Sequence, residues 1–308
     1  MNLLDLFTRT YARLHNYPGV PYWVLTPLRR FVRYLANKTL PKYLAQKRTP
    51  KGKVDQGVLV SFTSFPARIN NVWQVVECMM RQTYQPAKII LWLSKEQFPD
   101  GSGIPASLKE REGDLFEIRM VDGDIRSHKK YYYASKEYPD SLLFIIDDDI
   151  YYETDIIERA MKAHLEYPCA VICNYAYHFS YDKDGKLKPY NSWKKESYPS
   201  QSNDLFFGSG GGTLFCPSWL HNDLTNIEKA TEMTPTADDI WLNAMVRLSD
   251  IPVVKLKQDF FLPIQSDESK ALAVENRGVS RNDDQIKNVS QHYLLAIGKD
   301  PFAKRINL

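Results

Sequence analysis

Nothing limits the architecture of this chain more than Leu142-Leu143-Phe144-Ile145-Ile146, five apolar residues running straight into Asp147-Asp148-Asp149. An unbroken apolar run of this length suits a strand buried on both faces, as in parallel or mixed sheets covered by helices. Open α/β sheets gather their ligands at the carboxyl ends of such strands, which is where the three acids stand. Carboxylates packed together repel one another unless protons or a cation neutralise them. Hard divalent cations such as Mg2+ or Mn2+ prefer oxygen ligands and use one or two carboxylates together with substrate phosphates. The pattern points to a metal-assisted site for a phosphate-bearing substrate. The competing reading is a solvated acidic turn after a buried strand.

The flanking sequence repeats the theme. Residues 57–62 read as a first strand, and 71–82 as a helix with Val72, Val75, Val76, Met79 and Met80 on its apolar face. Strands over 89–93 and 116–121 follow, and a helix over 129–137 feeds the acid-bearing strand. Beyond it come a helix over 154–166, a strand over 170–174, a helix over 239–248 and a last strand over 253–256. This βαβ alternation predicts an α/β fold with a mixed, mostly parallel sheet flanked by helices. The stretch 181–203 reads as loop or hairpin, and the tail from Lys257 as polar and loop-rich. The length of 308 residues allows one large α/β domain or two smaller ones.

Charge divides the chain. Residues 1–53 hold eleven Lys/Arg and one acid, Asp5, a net +10 that leaves −7 for the remainder of a chain totalling +3. This basic, aromatic arm (1–53) is expected to precede a catalytic domain over 54–308, joined by a polar connector at 47–56. Within the arm, Leu28, Phe31, Val32 and Leu35 would form one side of a helix and Arg29, Arg30 and Arg33 the other, a pattern suited to an anionic membrane surface. Packing of that helix on the body, with its arginines in water, is the alternative. Four cysteines show neither zinc-ligand spacing nor a disulfide framework, and Cys169 and Cys173 read as buried free thiols. No apolar run is long enough to span a bilayer, and the N-terminus lacks the pattern of a secretory signal. A cytoplasmic location is expected, with peripheral attachment to the inner membrane face if the arm binds lipid. No nucleic-acid partner is expected.

Five features follow one another in order. They are a strand closed by Thr63-Ser64-Phe65-Pro66-Ala67-Arg68, a helix start with Lys129-Lys130, the Asp147-Asp148-Asp149 cluster, the glycine run Gly208-Ser209-Gly210-Gly211-Gly212, and Asp238-Asp239 opening a late helix. That order resembles the GT-A-fold nucleotide-sugar glycosyltransferases, particularly bacterial enzymes of capsule and surface-polysaccharide synthesis, over about residues 57–260. The resemblance implies a nucleotide-binding half (54–153), an acceptor-binding half (154–260) and a C-terminal tail (261–308).

In this resemblance Asp147-Asp148-Asp149 corresponds to the family's Asp-x-Asp. Asp149 would be the main ligand of Mn2+ or Mg2+, with Asp147 near the ribose or sugar. Thr63, Ser64 and Arg68 would hold the nucleotide; their hydroxyls can bond a base edge or ribose, and an arginine can stack or reach phosphate. Lys129 and Lys130 would meet the diphosphate at a helix N-terminus, although a solvated lysine pair accounts for them equally. The glycine run lacks the Gly-Lys-Ser/Thr ending of a P-loop and precedes a strand-like run. Gly210, Gly211 and Gly212 would let the backbone approach the donor sugar and acceptor. Asp239 would be the general base, with Asp238 beside it; capping by Thr236 and dipole-stabilising acids explain the same residues structurally. A late histidine supplies a further metal ligand in several such enzymes, which nominates His292. Tyr190, Trp193 and Trp241 can stack on sugar faces or simply pack.

The implied activity is transfer of a sugar from a nucleoside diphosphate sugar to a hydroxyl of a glycan or lipid-linked glycan, with inversion if Asp239 acts as base. Two other functions fit less of the pattern: a sugar-phosphate transferase or nucleotidyltransferase, and a non-catalytic scaffold on a membrane.

Overall fold

The computed structural model describes residues 1–15, 17–21, 23–46, 53–54, 57–196, 199–257, 260–265 and 281–305. Most of the expected connector at 47–56, and part of the tail, lie outside the described residues.

Two helices, α1 (Leu3–His15) and α2 (Thr26–Leu44), open the chain. Then come β1 (Lys53–Val54), β2 (Val58–Thr63), α3 (Val72–Met80), β3 (Tyr84–Gln85), β4 (Lys88–Ser94), α4 (Ala106–Lys109) and β5 (Phe116–Val121). Helix α5 (Lys129–Glu137) leads into β6 (Leu142–Ile146) and the short β7 (Ile150–Tyr151). The next stretch supplies α6 (Ile156–Glu166), β8 (Val171–Cys173), β9 (Ala176–His178), β10 (Lys194–Lys195), β11 (Ser200–Ser202), β12 (Leu205–Phe207) and β13 (Gly211–Phe215). Last are α7 (Ile227–Met233), α8 (Asp238–Leu248), β14 (Val253–Lys255), β15 (Leu262–Pro263) and α9 (Arg281–Ile297).

Eight strands form the central sheet in the order β11-β14-β8-β13-β6-β2-β4-β5. Four pairings are parallel: β2 with β4, β2 with β6, β4 with β5, and β14 with β8. Strand β13 runs antiparallel between β6 and β8, and β11 runs antiparallel on the edge. The architecture is the expected mixed, mostly parallel α/β sheet.

Alternation within the strands explains the apolar runs. Phe144 and Ile146 of β6 face one helical layer, with residues of α3 and α6, while Leu143 and Ile145 face the other, with α5 and α8. A strand covered on both faces has no position for a polar residue until it leaves the sheet. In β6 that happens at Asp147. Nearby, register places the site: Ser61 pairs with Ile145 across β2 and β6, so three residues onward Ser64 comes abreast of Asp148. On the other side Gly211 pairs with Ile146, which sets Gly210 beside Asp147.

Several expectations need correction. The tail is not all loop: α9 runs for 17 residues, anchored by buried Ile286, Val289 and Tyr293 at helical spacing. Helix α2 continues through Pro41, and its buried stripe is Arg29, Val32, Ala36, Leu40 and Leu44. Leu28 and Phe31 face outward instead, because Leu40 and Leu44 extend a stripe that the shorter predicted helix left out. Arg29 is buried where water was expected, and its guanidinium donates to Thr26 Oγ1 at 2.7 Å. Cys169 is exposed, whereas Cys78, Cys173 and Cys216 are buried free thiols. The arm is fastened to the body: Asp5 accepts hydrogen bonds from Thr154 N (2.8 Å) and Thr154 Oγ1 (2.7 Å).

Candidate active site

A cavity of about 790 Å³ opens at the carboxyl ends of β2 and β6. Thr63, Ser64, Arg68, Lys129, Lys130, Asp147, Asp148, Asp149, Asp238 and Asp239 all border it. Ten of the expected site residues therefore come together at one place, from four separate segments of sequence.

The three acids diverge as the chain leaves β6. Asp148 turns inward, where Ser64 Oγ donates to its Oδ2 at 2.5 Å and Arg68 Nη1 donates to its Oδ1 at 2.7 Å. Burial pushes the Asp148 carboxyl up, against the pull of Arg68 and Ser64. Asp147 and Asp149 keep 42% and 29% of their side-chain surface open. The same Arg68 Nη1 stands 3.0 Å from Asp149 Oδ2. Burial and the neighbouring Asp148 charge nevertheless push the Asp149 carboxyl up to about 7, with Arg68 opposing. A partly open carboxyl whose charge its acidic neighbours disfavour is a favourable place for a cation, which offsets that repulsion. Asp147 and Asp149 together offer the one or two protein carboxylates that Mg2+ or Mn2+ uses when phosphates and water complete its shell. Among the described residues no group of three His, Cys, Asp or Glu side chains forms a closed metal cage.

A second acidic pair faces the first. Asp238 and Asp239 occupy the first turn of α8, where the helix dipole favours negative charge. Lys130, at the start of α5, links the two groups, its Nζ 3.0 Å from Asp147 Oδ1 and 2.9 Å from Asp238 Oδ2. Burial works against charge on Lys130, but Asp147, Asp238 and Asp239 outweigh it and raise its pKa. For Asp238, burial is outweighed by Lys130 and His128, so its pKa falls. For Asp239, burial and the adjacent Asp238 charge dominate and push the carboxyl up to about 6. Two neighbouring carboxyls with pKa values driven apart are the pattern of an acid-base site.

The glycine run serves the first acidic cluster. A Cβ on Gly210 would lie 1.7 Å from Asp147 Oδ2, and one on Gly212, where φ is +85°, would meet Phe144 Cζ at 2.8 Å. Gly210, Gly211 and Gly212 are buried and do not border the cavity. Their bareness makes room for protein side chains. Between them and the acids, Ser209 N donates to Asp239 Oδ1 and Ser209 Oγ to Asp238 Oδ2, each at 2.8 Å.

Other expected residues are placed differently. Lys129 is buried and donates to Asp124, so its ammonium is already engaged, and burial lowers its pKa. The Thr63 hydroxyl donates to Trp92 O at 2.8 Å. Thr236 does not cap α8: Ala237 holds the cap position, and Thr236 N donates to Gln285 Oε1 at 3.1 Å. His292 sits on α9 with its ring edge-on to Tyr293 and does not border the cavity, so it is not gathered with the acids as a third ligand. Trp241 is fully buried and Trp193 nearly so; of the three aromatics singled out, Tyr190 alone reaches the cavity. Tyr175 and Tyr177 join it there and were not anticipated, because one tyrosine among 19 carries no local signal. Ser209 was given no role of its own within the glycine run.

No protein-family model matches the chain, and no curated protein matches it. Solved structures of related shape include the mannosyltransferase PcManGT from Pyrobaculum calidifontis in complex with GDP-Man and Mn2+. It is 10% identical with a TM-score of 0.49, over 96% of this chain and 76% of that one. A CMP:2-keto-3-deoxy-manno-octonic acid synthetase complexed with CTP is 10% identical with a TM-score of 0.42, over 74% and 100% of the two chains. HddC from Yersinia pseudotuberculosis is 14% identical with a TM-score of 0.33, over 53% and 77%. Likenesses this distant carry no functional assignment.

Proposed function

We propose that this protein is a metal-dependent glycosyltransferase that moves a sugar from a nucleoside diphosphate sugar to a hydroxyl of a glycan acceptor with inversion. One observation carries the reading: Lys130 joins a cation-ready carboxylate cluster (Asp147, Asp149) to an acid-base pair (Asp238, Asp239) in one cavity. Transfer between a diphosphate donor and a hydroxyl needs both, one to hold the leaving group and one to accept a proton.

In this reading Asp149, with Asp147, holds Mg2+ or Mn2+. When bound, the cation supplies Lewis-acid neutralisation of the departing diphosphate. Arg68 turns its guanidinium to the diphosphate side, and Ser64 keeps Asp148 fixed behind it. Tyr175, Tyr177 and Tyr190 border the same cavity and supply aromatic surface against which an acceptor sugar can pack. Asp239 takes the proton from the acceptor hydroxyl as that oxygen attacks the anomeric carbon and the bond to diphosphate breaks. The proton then leaves Asp239 for solvent, and nucleoside diphosphate leaves the cavity. Ser209 N and the α8 dipole keep Asp239 aimed throughout. A lipid-linked glycan acceptor rests on the sequence resemblance and the basic N-terminal arm, and a place in bacterial surface-polysaccharide synthesis on the resemblance alone.

The test is a panel of nucleotide sugars incubated with protein and Mn2+, scored for the nucleotide released. Nucleoside diphosphate from one donor, lost with chelator and with Asp239→Asn, supports the reading. Nucleoside monophosphate or pyrophosphate as product would identify a sugar-phosphate transferase or nucleotidyltransferase instead.

A further inference from the structure

The N-terminal helix pair carries an outward face that the proposed reaction does not use. Leu28, Phe31 and Tyr34 project from α2 on the side opposite its buried stripe, and Phe31 and Tyr34 are 56% and 57% exposed. The turn before the helix adds Trp23, 68% exposed, and Val24. Arg30, Lys38 and Lys42 are exposed on the same outward half of the helix. Lys38 Nζ stands 5.8 Å from the centre of the Tyr34 ring. Scattered single apolar residues on a surface need no explanation, but Leu28, Phe31 and Tyr34 share one outward side of a single helix, with Trp23 and Val24 just before it, and such a concentration marks an interaction surface.

We infer that this face lies on an anionic phospholipid surface, with Trp23, Leu28 and Phe31 among the headgroups and Arg30, Lys38 and Lys42 over the phosphates. Three observations single out that occupant. Rings with a polar edge (Trp23, Tyr34) beside long cationic chains suit the boundary between hydrocarbon and water, where lysine and arginine stems lie along apolar surface while their heads stay wet. Residues 1–53 carry +10 and the remainder −7, so an anionic sheet attracts this end of the molecule in particular. A second copy of the chain docked face to face would set Arg30, Lys38 and Lys42 against the same three cations, which argues against self-association here. The attachment is in-plane, since among the described residues no helix is long and apolar enough to cross a membrane. The inference goes beyond the proposed reaction and stands or falls without it.

Sedimentation of the full chain with vesicles tests it, using phosphatidylcholine alone and phosphatidylcholine mixed with phosphatidylglycerol. Binding is expected to the mixed vesicles only and to weaken at high salt. Arg30→Glu combined with Lys38→Glu should weaken it by roughly tenfold or more. Leu28→Ser combined with Phe31→Ser should weaken it comparably. All four side chains are exposed, so melting temperature and nucleotide-sugar binding should match the parent in both variants. Equal binding to neutral vesicles, or none to either kind, overturns the inference. So does a dimer in solution that Phe31→Ser dissociates.

Discussion

Asp147 occupies the space that a side chain on Gly210 would need, its Oδ2 lying 1.7 Å from where a Cβ would stand. The glycine is a steric requirement of the acid cluster, since its φ does not fall in the left-handed region. Gly210→Ala must push the Asp147 carboxylate towards the cavity or spread β13 from β6. Overpacking of this kind costs about 1–3 kcal/mol. We expect the variant to fold with a lowered melting temperature, by circular dichroism, and to lose at least roughly tenfold in metal-dependent donor affinity through the displaced ligand.

Lys130 is the cation common to both acidic groups, and removing it leaves buried carboxylate without its partner. Breaking a buried pair from one side costs about 3–5 kcal/mol. Lys130→Met should lose stability on that scale in urea unfolding. Adding Asp238→Asn should restore part of the loss, because the two sites are in contact and their effects are not additive. A double variant no more stable than Lys130→Met would show that the Lys130–Asp238 pair is not what holds this corner.

Asp239 yields a pH signature with a defined sign. Its carboxyl, pushed up to about 6, must be ionised to act as base, so kcat/KM at saturating Mn2+ should rise through pH 6 and level off above it. The same shift acts oppositely on folding. The native state keeps a proton that the unfolded chain releases near 3.8, so stability from this group is present at low pH and lost as pH climbs through about 6. Asp239→Asn should therefore be slowed by about 10²–10⁴-fold yet melt higher than the parent at pH 8. A variant that is inactive and also less heat-resistant at pH 8 would contradict the electrostatic account.

Metal affinity should follow Asp149. Its carboxyl, pushed up to about 7, must shed its proton to ligate, so Mn2+ with nucleoside diphosphate should bind more tightly as pH rises to 7 and little more beyond. Calorimetric titration of the parent and of Asp149→Ala across that range checks it. Arg68 lies 3.0 Å from the same carboxylate and competes with the cation there. Arg68→Met should bind Mn2+ alone more tightly than the parent while binding the nucleotide complex less well.

How much of this was legible in the sequence depends on how local each signal is. Strand β5 and helix α5 have the bounds that their own residue patterns predict, and the Asp147-Asp148-Asp149 cluster sits at a strand end because the apolar run requires it. Helix α9 was not legible: three buried apolar residues in 17 positions, interleaved with Asn, Asp, Gln and Lys, look like loop until α7 and α8 supply a surface for them. The outward face of α2 was read wrongly, since Leu28 and Phe31 match helical periodicity as well as Val32 does, and only packing against the body decides between the stripes. Gly210 stands out in the sequence only through its glycine-rich setting, which does not reveal its neighbour. Its partner is Asp147, brought alongside by antiparallel pairing of β13 with β6, and no local pattern encodes that pairing. The Lys130 bridge was hidden in the same way, because α8 contributes one of its two carboxylates.

The most direct measurement is a crystal structure with Mn2+ and the nucleotide sugar selected by the panel, using anomalous scattering to locate the metal. The account predicts Mn2+ against Asp149 and Asp147 with the donor diphosphate beside it, Arg68 turned away from Asp149, and Asp239 facing the anomeric carbon from the acceptor side. Donor lodged outside this cavity, or Mn2+ bound elsewhere with Asp149 still paired to Arg68, would contradict it.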